Sequence, residues 1–563
     1  MEEEILAFAL QNAVDHGGKA NIGPVMGKAM ALYPDLKKDP KKTSEMIRGI
    51  VEVVNSLTVD EQKARLERIG GPIELGKKER KTGLPELKGA GTGRLVMRFA
   101  PGPSGPLHIG HTRAALLNDE YCRKYDGKFI LRLEDTNPEK IDPDAYDMIP
   151  EDLRWLDVRI DETVVQSDRF ETYYDVTREL IEAGAAYVCT IDTEVWRELK
   201  LSGKPCEERD QPPEVQMEKW ERMLDGTYVE GEASLVIKTD LQHRNPAVRD
   251  FVGMRIKEGP HPRTGDRYRV YPLYNLSVAI DDHLMDCTHI LRGKDHLNNT
   301  LRQEYVYRHL GWELPGFIHY GLVSIPESIL KTSLIKEEIR SGNFSGWADV
   351  RLGTLQALAA RGFDPASLRE YWIEVGIKSV DINFSWETLY AKNRSLIDGR
   401  ARRFFFVPEP AKLRFEHEGV LIARSPVHPE RPDLGDRVHE VLSREGIITV
   451  QVPGNDLKDT ADGAMVRLKD LCNVKVTDAS HGAGEFAGKE VSTARGEKIR
   501  IVQWVSDGAE PLVIYTPEGG RIDGLAESGI GKKVSEGDVV QFERVGYCRI
   551  FLDNGLKANM THP

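Results

Sequence analysis

Arginine, glycine, proline and histidine stand between residues 98 and 111 in an order that suits the binding of phosphate groups. An apolar stretch ends at Arg98, a glycine- and proline-rich turn follows, and His108 and His111 stand where a helical pattern begins. Doubly wound sheets bind phosphates where a strand, a tight loop and a helix start follow in this order. We predict that both imidazoles reach a triphosphate and that Gly110 leaves room for a base near the backbone. The alternative is a helix that only happens to carry two histidines.

Two acidic residues follow the next predicted strand, Phe129–Leu133. A carboxylate at the carboxyl end of a parallel strand points into the ligand crevice, where Glu134 or Asp135 could hold an ammonium group. The alternative is that the carboxylate only caps the turn before Pro138.

A second informative segment covers residues 274–296. We predict an apolar strand from Tyr274, an acidic turn at Asp281 and Asp282, and a second strand that ends in Arg292. The forked guanidinium of Arg292 suits a bidentate grip on a carboxylate in the same crevice. The alternative is a structural ion pair between Arg292 and one of the two aspartates.

The elements that must position these residues change in character along the chain. Residues 1–70 are predicted to be helical, with a capping box at Thr58–Glu61, and residues 71–93 form a charged linker rich in glycine and proline. Strand and helix patterns then alternate, apart from a charged insertion at about 190–270. Short β-rich runs follow residue 404, at 420–422, 447–450, 501–505, 512–515 and 539–542.

These patterns predict a multidomain α/β protein. The expected parts are an N-terminal helical extension and linker (1–92), a Rossmann-type parallel-sheet domain that holds the insertion (93–344), a helical connecting subdomain (345–403) and a C-terminal all-β barrel region (404–563).

Composition excludes several classes of protein. The chain has 563 residues and a net charge of −13, which argues against indiscriminate nucleic-acid binding but allows a local basic surface at 37–42, 77–81 or 400–403. No run of 18 apolar residues predicts a membrane span, and the acidic start does not resemble a signal peptide. Six scattered cysteines without a C-x-x-C pair fit a reducing cytoplasm.

Several of these segments together resemble one family. The segment 108–111 (His-Ile-Gly-His) resembles the ATP signature of class I aminoacyl-tRNA synthetases, and 131–138 resembles the glutamyl/glutaminyl branch of that class. The segments 393–406 and 537–546 resemble the transition into the C-terminal barrel and the end of that barrel. A β-barrel in this place resembles the archaeal and eukaryotic glutamyl enzymes and the glutaminyl enzymes. Residues 1–92 resemble the helical extension of archaeal members.

The resemblance implies roles for individual residues. Those implied to bind ATP are Pro101, His108, Gly110, His111 and Lys331, with His108, His111 and Lys331 also catalytic. Those implied to bind the amino acid are Arg98 on its carboxylate, Glu134 on its amino group, Tyr274 along the pocket, and Arg292 on a side-chain carboxylate. Glutamine would leave Arg292 without a negative partner, at a cost on the order of 3–5 kcal/mol, or roughly a hundredfold or more in selectivity.

The lysine-bearing loop departs from the family pattern. Lysines in this loop stabilise the charge that develops on the transferring phosphate. Here Lys331 is offset from the usual second lysine, and Thr332 stands in its place. Either Lys331 takes over through a rearranged loop, or His108, His111 and magnesium handle part of the phosphate charge. We predict that Lys331 contributes to catalysis.

The resemblance implies that the protein ligates L-glutamate to tRNA(Glu) through glutamyl-adenylate, with ATP and Mg²⁺, as a cytoplasmic monomer that binds no membrane. The insertion would hold the tRNA acceptor end and the barrel would read the anticodon. Charging of tRNA(Gln) is a further hypothesis. We expect no structural zinc, because Ile191 replaces a cysteine of the Cys-x-Cys that some members carry after the position of Cys189. The alternatives are a glutaminyl enzyme, a non-catalytic tRNA-binding relative and a tRNA-modifying enzyme.

Overall fold

The structure, a computed structural model, describes residues 2–33, 35–36, 40–69, 71, 83–326, 328–491 and 499–563. The chain divides into two units, Met1–Thr82 and Gly83–Pro563. The predicted basic segment 77–81, the lysines at 37 and 38, and residues 72–82 of the predicted linker lie outside the described residues.

The first unit is helical, as predicted. Its helices are α1 (Glu2–Asp15), α2 (Ile22–Leu32), α3 (Pro40–Asn55) and α4 (Val59–Arg68). Buried apolar residues of α1, among them Phe8 and Leu10, pack with Ile47 and Val54 of α3. The predicted capping box is confirmed, because Thr58 and Glu61 exchange side-chain and backbone hydrogen bonds at the start of α4.

The second unit opens with the predicted parallel sheet. Its first elements are β1 (Val96–Phe99), α5 (Ile109–Tyr125), β2 (Lys128–Leu133), α6 (Ala145–Trp155), β3 (Glu162–Val165) and α7 (Phe170–Glu182). The strands pair in the order β1-β2-β3, with Arg98 opposite Ile130. Parallel pairing through crossover helices brings the carboxyl ends of β1 and β2 to one edge, from which the residues after Phe99 and Leu133 leave the sheet.

The insertion folds as an antiparallel sheet with helices beside it. Its elements are β4 (Ala186–Cys189), α8 (Thr193–Ser202), α9 (Pro213–Leu224), β5 (Ser234–Ile237), β6 (Phe251–Ile256) and β7 (Val270–Pro272). The strands pair in the order β4-β5-β6-β7. The sheet begins at Ala186, slightly before the predicted insertion at 190, and replaces the parallel arrangement of the flanking strands.

The prediction of a strand from Tyr274 is wrong. The chain forms a helix here, and the following elements are α10 (Tyr274–Leu284), β8 (His289–Gly293), α11 (Leu297–Leu310), β9 (Gly316–Tyr320) and β10 (Val323–Ser324). Every residue from Leu276 to Asp282 is buried, so the helix is covered on all sides and shows no apolar stripe. A short, uniformly buried helix cannot be distinguished from a buried strand by its pattern. The predicted acidic turn is the buried last turn of α10, whereas the predicted strand that contains Arg292 is confirmed as β8.

The connecting region is helical, as predicted, except for a short strand. Its elements, with the helix that precedes it, are α12 (Thr332–Arg340), α13 (Leu355–Arg361), α14 (Pro365–Val375), β11 (Ile382–Asn383) and α15 (Trp386–Ile397). Buried residues of α13 and α14, such as Leu358 and Trp372, share one apolar core with Leu116 of α5 and Phe129 of β2. These helices therefore support the parallel sheet from which the site is built.

The remaining chain is almost entirely β-structure. Its elements are β12 (Arg403–Phe404), β13 (Phe406–Pro408), β14 (Pro410–Glu416), β15 (Val420–Pro426), β16 (Asp436–Leu442), β17 (Ile447–Pro453), α16 (Gly454–Lys458), β18 (Met465–Leu468), β19 (Cys472–Asp478), β20 (Ala483–Phe486), β21 (Arg500–Val502), β22 (Glu510–Tyr515), β23 (Arg521–Ala526), β24 (Val539–Phe542), β25 (Gly546–Leu552) and β26 (Leu556–His562).

Two main barrel-like sheets form this β-region, each around its own apolar core. Their strand orders are β12-β24-β25-β26-β22-β23-β13 and β17-β14-β20-β19-β18-β21, while β15 pairs with β16. The predicted β-runs overlap these strands, although the run at 501–505 leaves the sheet after Val502. At the candidate basic surface 400–403, Arg400, Arg402 and Arg403 each form an ion pair with an aspartate, and a nucleic-acid contact there stays a prediction.

Among the described residues, no helix combines the length and the apolar character that crossing a membrane requires.

Candidate active site

His108 and His111 form a stacked pair at the start of α5. His108 is the extended N-cap residue, one position before the helix that we predict it to open, and His111 stands in the first turn. Their ring centroids lie 3.8 Å apart. The Gly110 N–H donates to His108 Nδ1 at 3.1 Å, and the His108 N–H donates to His111 Nδ1 at 3.2 Å. A Cβ on Gly110 would lie 2.8 Å from His108 Cε1, so the glycine leaves room for this ring.

Burial determines the charge of both rings, and these contacts determine which nitrogen carries the proton. Burial lowers the pKa of His108 to about 4 and that of His111 to about 3, so both are neutral at pH 7. Because each Nδ1 accepts a backbone N–H, each neutral ring carries its proton on Nε2. The pair therefore offers two uncharged Nε2–H donors beside the positive end of the α5 dipole, an arrangement suited to phosphate oxygens.

Backbone contacts connect this loop to its neighbours. The Glu134 N–H donates to the Pro101 carbonyl oxygen at 3.0 Å, which links the ends of β2 and β1. The Leu107 N–H donates to the buried Asp152 carboxylate at 2.7 Å. Pro101, predicted to bind ATP, and Glu134, predicted to bind an amino acid, therefore lie side by side at one edge of the sheet.

Arg98 is buried and already has a carboxylate partner. Its Nε and Nη2 donate to the two carboxylate oxygens of Asp282, in α10, at 2.9 and 3.2 Å. Burial lowers the pKa of Arg98, but the attraction of Asp282 outweighs it, and the net shift is upward. Nη1 is the nitrogen of Arg98 that this bidentate contact leaves over for a ligand.

Arg132 connects Asp282 to Glu134. Its Nη1 donates to Asp282 at 2.8 Å and its Nη2 to Glu134 at 3.2 Å. Burial raises the pKa of Glu134 to about 7, although the positive charges of Arg132 and Arg98 act against that rise. Glu134 is thus an acidic group whose charge changes near neutrality, as expected of a carboxylate that lacks full solvation.

Arg292 is buried among neutral acceptors. Its Nη2 donates to Thr300 Oγ1 at 2.6 Å and to Gln303 Oε1 at 2.8 Å, and its Nη1 to the Tyr274 hydroxyl at 3.3 Å. Burial lowers the pKa of Arg292, the opposite of the net shift at Arg98. Within the described residues Arg292 forms no ion pair and its Nε has no hydrogen-bond partner.

Tyr274 stands between the two ends of this group. Burial is the main cause of its raised pKa, and the charges of Glu134, Arg292 and Arg98 also act on its hydroxyl. The structure thus brings together the side chains at 98, 134, 274 and 292 that we predict to bind an amino acid.

Two alternative interpretations can be compared with these contacts. The alternative prediction of an ion pair between Arg292 and Asp281 or Asp282 is wrong. Asp281 instead accepts hydrogen bonds from Arg169, Gln166 and Tyr173. Asp282 is held by Arg98 and Arg132. Asp135, by contrast, does have a structural role: it accepts hydrogen bonds from the Tyr146 hydroxyl at 2.6 Å and the Ser167 N–H at 2.7 Å.

We call residues 100–111, which we predict to bind ATP, the nucleotide loop. Lys331 lies beside this loop on an exposed part of the chain. It is the N-cap residue of α12, and the next residue, Thr332, packs against Gly105 so closely that an added Cβ there would lie 2.7 Å from its methyl group. Lys336 forms an ion pair with Asp142 at 2.9 Å. The structure therefore places the lysine-bearing segment against the glycine- and proline-rich loop.

Sequence reasoning missed Arg132, Asp282, Thr300 and Gln303. Arg132 carried a usable signal, since a charged residue inside an otherwise apolar predicted strand must find a partner. Asp282 gave none, because its partners Arg98 and Arg132 are 184 and 150 positions away along the chain. Thr300 and Gln303 are only 8 and 11 positions from Arg292, but nothing in the residue pattern identified them as its partners.

Possible metal ligands are also scarce. In the part of the chain that the structure covers, no group of three or more His, Cys, Asp and Glu side chains is arranged to hold a metal ion. The expectation of no structural zinc stays a prediction.

A catalytic-domain model and an anticodon-domain model match this chain. Residues 94–398 match the model of the catalytic domain of class I tRNA synthetases (E and Q), and residues 401–492 match the model of the anticodon-binding domain of the same family. The chain belongs to this family of class I synthetases.

Similar proteins cover nearly the whole chain. A glutamate–tRNA ligase of Methanothermobacter marburgensis is 46% identical, over 98% of this chain and 97% of its own. One of Thermoplasma volcanium is 45% identical over the whole of both chains. One of Methanocaldococcus jannaschii is 46% identical, over 98% of this chain and 97% of its own.

Proposed function

We propose that this protein ligates L-glutamate to tRNA(Glu) through a glutamyl-adenylate intermediate. The observation that carries the proposal is the buried guanidinium of Arg292, which has only neutral acceptors around it. A buried cation without a carboxylate is costly unless a ligand brings one. The full-length relatives named glutamate–tRNA ligase support the same conclusion.

The charge of the pocket supports glutamate over glutamine. Among the described residues, the group holds three guanidinium groups (Arg98, Arg132 and Arg292) and two carboxylates (Asp282 and Glu134), so it carries a single positive charge when Glu134 is ionised. Glutamate carries a net charge of about −1 near pH 7, since its two carboxylates outnumber its ammonium, whereas glutamine is neutral. Glutamate therefore neutralises the pocket, while glutamine leaves the charge of Arg292 unpaired.

In the first step, the α-carboxylate of glutamate attacks the α-phosphate of ATP, which enters with Mg²⁺ as part of the substrate. Glu134 pairs with the ammonium group, Nη1 of Arg98 holds the α-carboxylate, and Arg292 holds the side-chain carboxylate against Tyr274. The neutral Nε2–H groups of His108 and His111 donate to phosphate oxygens, and pyrophosphate leaves.

Because His108 and His111 are neutral, we propose that a basic side chain acts together with the Mg²⁺ of the substrate to oppose the charge that develops on the phosphate. Lys331 is our candidate, supported by the packing of its neighbour Thr332 on the loop. The adenine would lie near Pro101 and Gly110.

In the second step, glutamate is transferred to the terminal ribose of tRNA. The insertion holds the acceptor end, and the β-region from residue 404 reads anticodon bases by stacking and edge hydrogen bonds. We further propose that the protein acts as a cytoplasmic monomer and also charges tRNA(Gln).

The test is aminoacylation of tRNA(Glu) and tRNA(Gln) with glutamate and with glutamine. We expect glutamate to be attached to both tRNAs and glutamine to neither. Attachment of glutamine would identify a glutaminyl enzyme instead. Absence of charging with either amino acid would favour a non-catalytic tRNA-binding protein.

A further inference from the structure

Arg132 and Asp282 form the connection between the two groups proposed to bind the amino-acid backbone. Arg132 is completely buried and Asp282 is 2% exposed. Asp282 receives two hydrogen bonds from Arg98 and one from Arg132, and Arg132 donates its remaining terminal nitrogen to Glu134. The four side chains thus alternate in sign: Arg98, Asp282, Arg132, Glu134.

We propose that Arg132 and Asp282 are positioning residues for amino-acid activation: Arg132 holds and charges Glu134 for the substrate ammonium, and Asp282 aims Arg98 at the α-carboxylate. This inference rests on the proposed function. Neither residue needs to touch the substrate, because each acts through the side chain that does.

The contacts explain how Asp282 aims Arg98. The bidentate contact uses Nε and Nη2 and fixes the plane of the guanidinium, so that Nη1 has one direction. Without Asp282, Arg98 would regain its side-chain freedom in the pocket and hold a carboxylate less well.

The same contacts determine when Glu134 is charged. The groups that face its carboxylate are Arg132, Arg98, Asp282 and Tyr274. Burial raises the pKa of Glu134 to about 7, Arg132 acts to lower it and Asp282 acts to raise it. Glu134 binds an ammonium only when ionised, so glutamate binding weakens as pH falls through this pKa. Without Arg132, the pH below which glutamate binding weakens should rise. Without Asp282, that pH should fall.

Arg169 provides a matched control. It donates one hydrogen bond to Asp281, the neighbour of Asp282, at 2.8 Å, and so forms an ion pair with the same helix; Asp281 also lies 3.8 Å from Arg132 Nε. Arg169 contacts neither Glu134 nor Arg98 in the described structure. Replacement of Arg169 therefore disturbs α10 without removing a link of the Arg98–Glu134 connection.

The experiment measures glutamate-dependent ATP–pyrophosphate exchange from pH 5.5 to 9 with tRNA(Glu) present. The proteins compared are the wild type, Arg132→Met, Arg132→Lys, Asp282→Asn, Glu134→Gln and Arg169→Met. Circular dichroism and thermal melting identify variants that fail to fold, and the KM for ATP serves as an internal control in each.

We expect Arg132→Met to move the acid limb of kcat/KM for glutamate upward by about one to three pH units, the usual effect of one adjacent opposite charge. Arg132→Lys keeps a positive charge at this position, so its acid limb should move upward by less than that of Arg132→Met. Asp282→Asn moves the limb downward while the KM for glutamate rises at least about tenfold, as expected for a lost hydrogen bond to a charged group. Glu134→Gln removes the limb, and Arg169→Met keeps it unchanged.

The inference would be overturned if the acid limb of kcat/KM stays at the wild-type pH in both Arg132→Met and Asp282→Asn. It would also be overturned if Arg169→Met shifts this limb as much as those variants do. If Arg132→Met does not fold, the opposite shift in Asp282→Asn and the partial shift in Arg132→Lys still decide. A wild-type protein that does not activate glutamate would instead count against the proposed function.

Discussion

Two proposed binding regions lie side by side but differ in charge: the amino-acid pocket, built from residues 98, 132, 134, 274, 282 and 292, and the nucleotide loop, residues 100–111. The pocket holds buried ionised groups, of which Arg132 is completely enclosed and Arg292 is 5% exposed. The loop holds His108 and His111, whose pKa values burial lowers to about 4 and about 3. The backbone hydrogen bond from the Glu134 N–H to the Pro101 carbonyl oxygen joins the two regions.

This difference follows from what each region must recognise. An amino acid is distinguished by the number and sign of its charges, so fixed charges give selectivity at the cost of desolvation. A triphosphate brings its own charge and cation, so neutral donors and a helix dipole are enough to orient it. We infer that the pocket selects the substrate and that the loop positions it.

The largest expected effect comes from removing the unpaired charge of the pocket. Arg292→Gln should lower kcat/KM for glutamate in pyrophosphate exchange by about a thousandfold, because a buried carboxylate would lose its only cation. The KM for ATP should change little. The preference for glutamate over glutamine should fall in parallel, and a variant that retains this preference would contradict the role of Arg292.

The second effect tests whether the loop depends on a cation from elsewhere. Lys331→Ala should lower kcat by about a hundredfold at saturating ATP, since one donor to a developing phosphate charge would be lost. Lys331→Arg is the matched control and should retain most of the activity. Normal turnover of Lys331→Ala at saturating ATP would rule out a catalytic role for this residue.

The two regions should also differ in their pH dependence. The pKa of Glu134 is about 7, so the KM for glutamate should rise about tenfold for each unit of pH below 7. Both histidines stay neutral above pH 5, so the KM for ATP should be nearly constant from pH 6 to 8. Steady-state kinetics at several pH values provide the comparison. A KM for ATP that changes between pH 6 and 7, where an ordinary histidine titrates, would show that the histidines of the loop are charged in that range.

The smallest effect concerns a neutral neighbour of Arg292. Thr300→Val removes an acceptor of Nη2 at 2.6 Å but keeps the volume of the side chain. We expect the KM for glutamate to rise by about threefold to tenfold, as for one hydrogen bond. Thr112→Val is a suitable control, because its hydroxyl accepts from Trp372 and lies outside the pocket. Equal changes in both variants would point to a general loss of stability.

The nucleotide loop could be predicted from sequence because its determinants are local. The turn, the histidines and the helix start lie within 14 consecutive residues, and their hydrogen bonds join residues two or three positions apart. The pocket could be predicted only in part. Arg98 and Asp282 are 184 positions apart, and no local pattern shows that they meet.

The error in α10 has the same origin. Its buried residues, from Leu276 to Asp282, are covered by tertiary contacts on every side, so the helical period is absent from the sequence. As a result, Asp282 was placed in a turn, where its role as the partner of two arginines could not be seen. Long-range packing, rather than local preference, determines this part of the site.

The central claim is that Arg292 receives the side-chain carboxylate of glutamate while Glu134 receives its ammonium group. A crystal structure with a non-hydrolysable glutamyl-adenylate analogue measures both contacts at once. We expect the side-chain carboxylate within about 3 Å of the Arg292 guanidinium and the ammonium nitrogen within about 3 Å of a Glu134 carboxylate oxygen. A side-chain carboxylate that lies away from Arg292, or an ammonium held by another acid, would contradict the account.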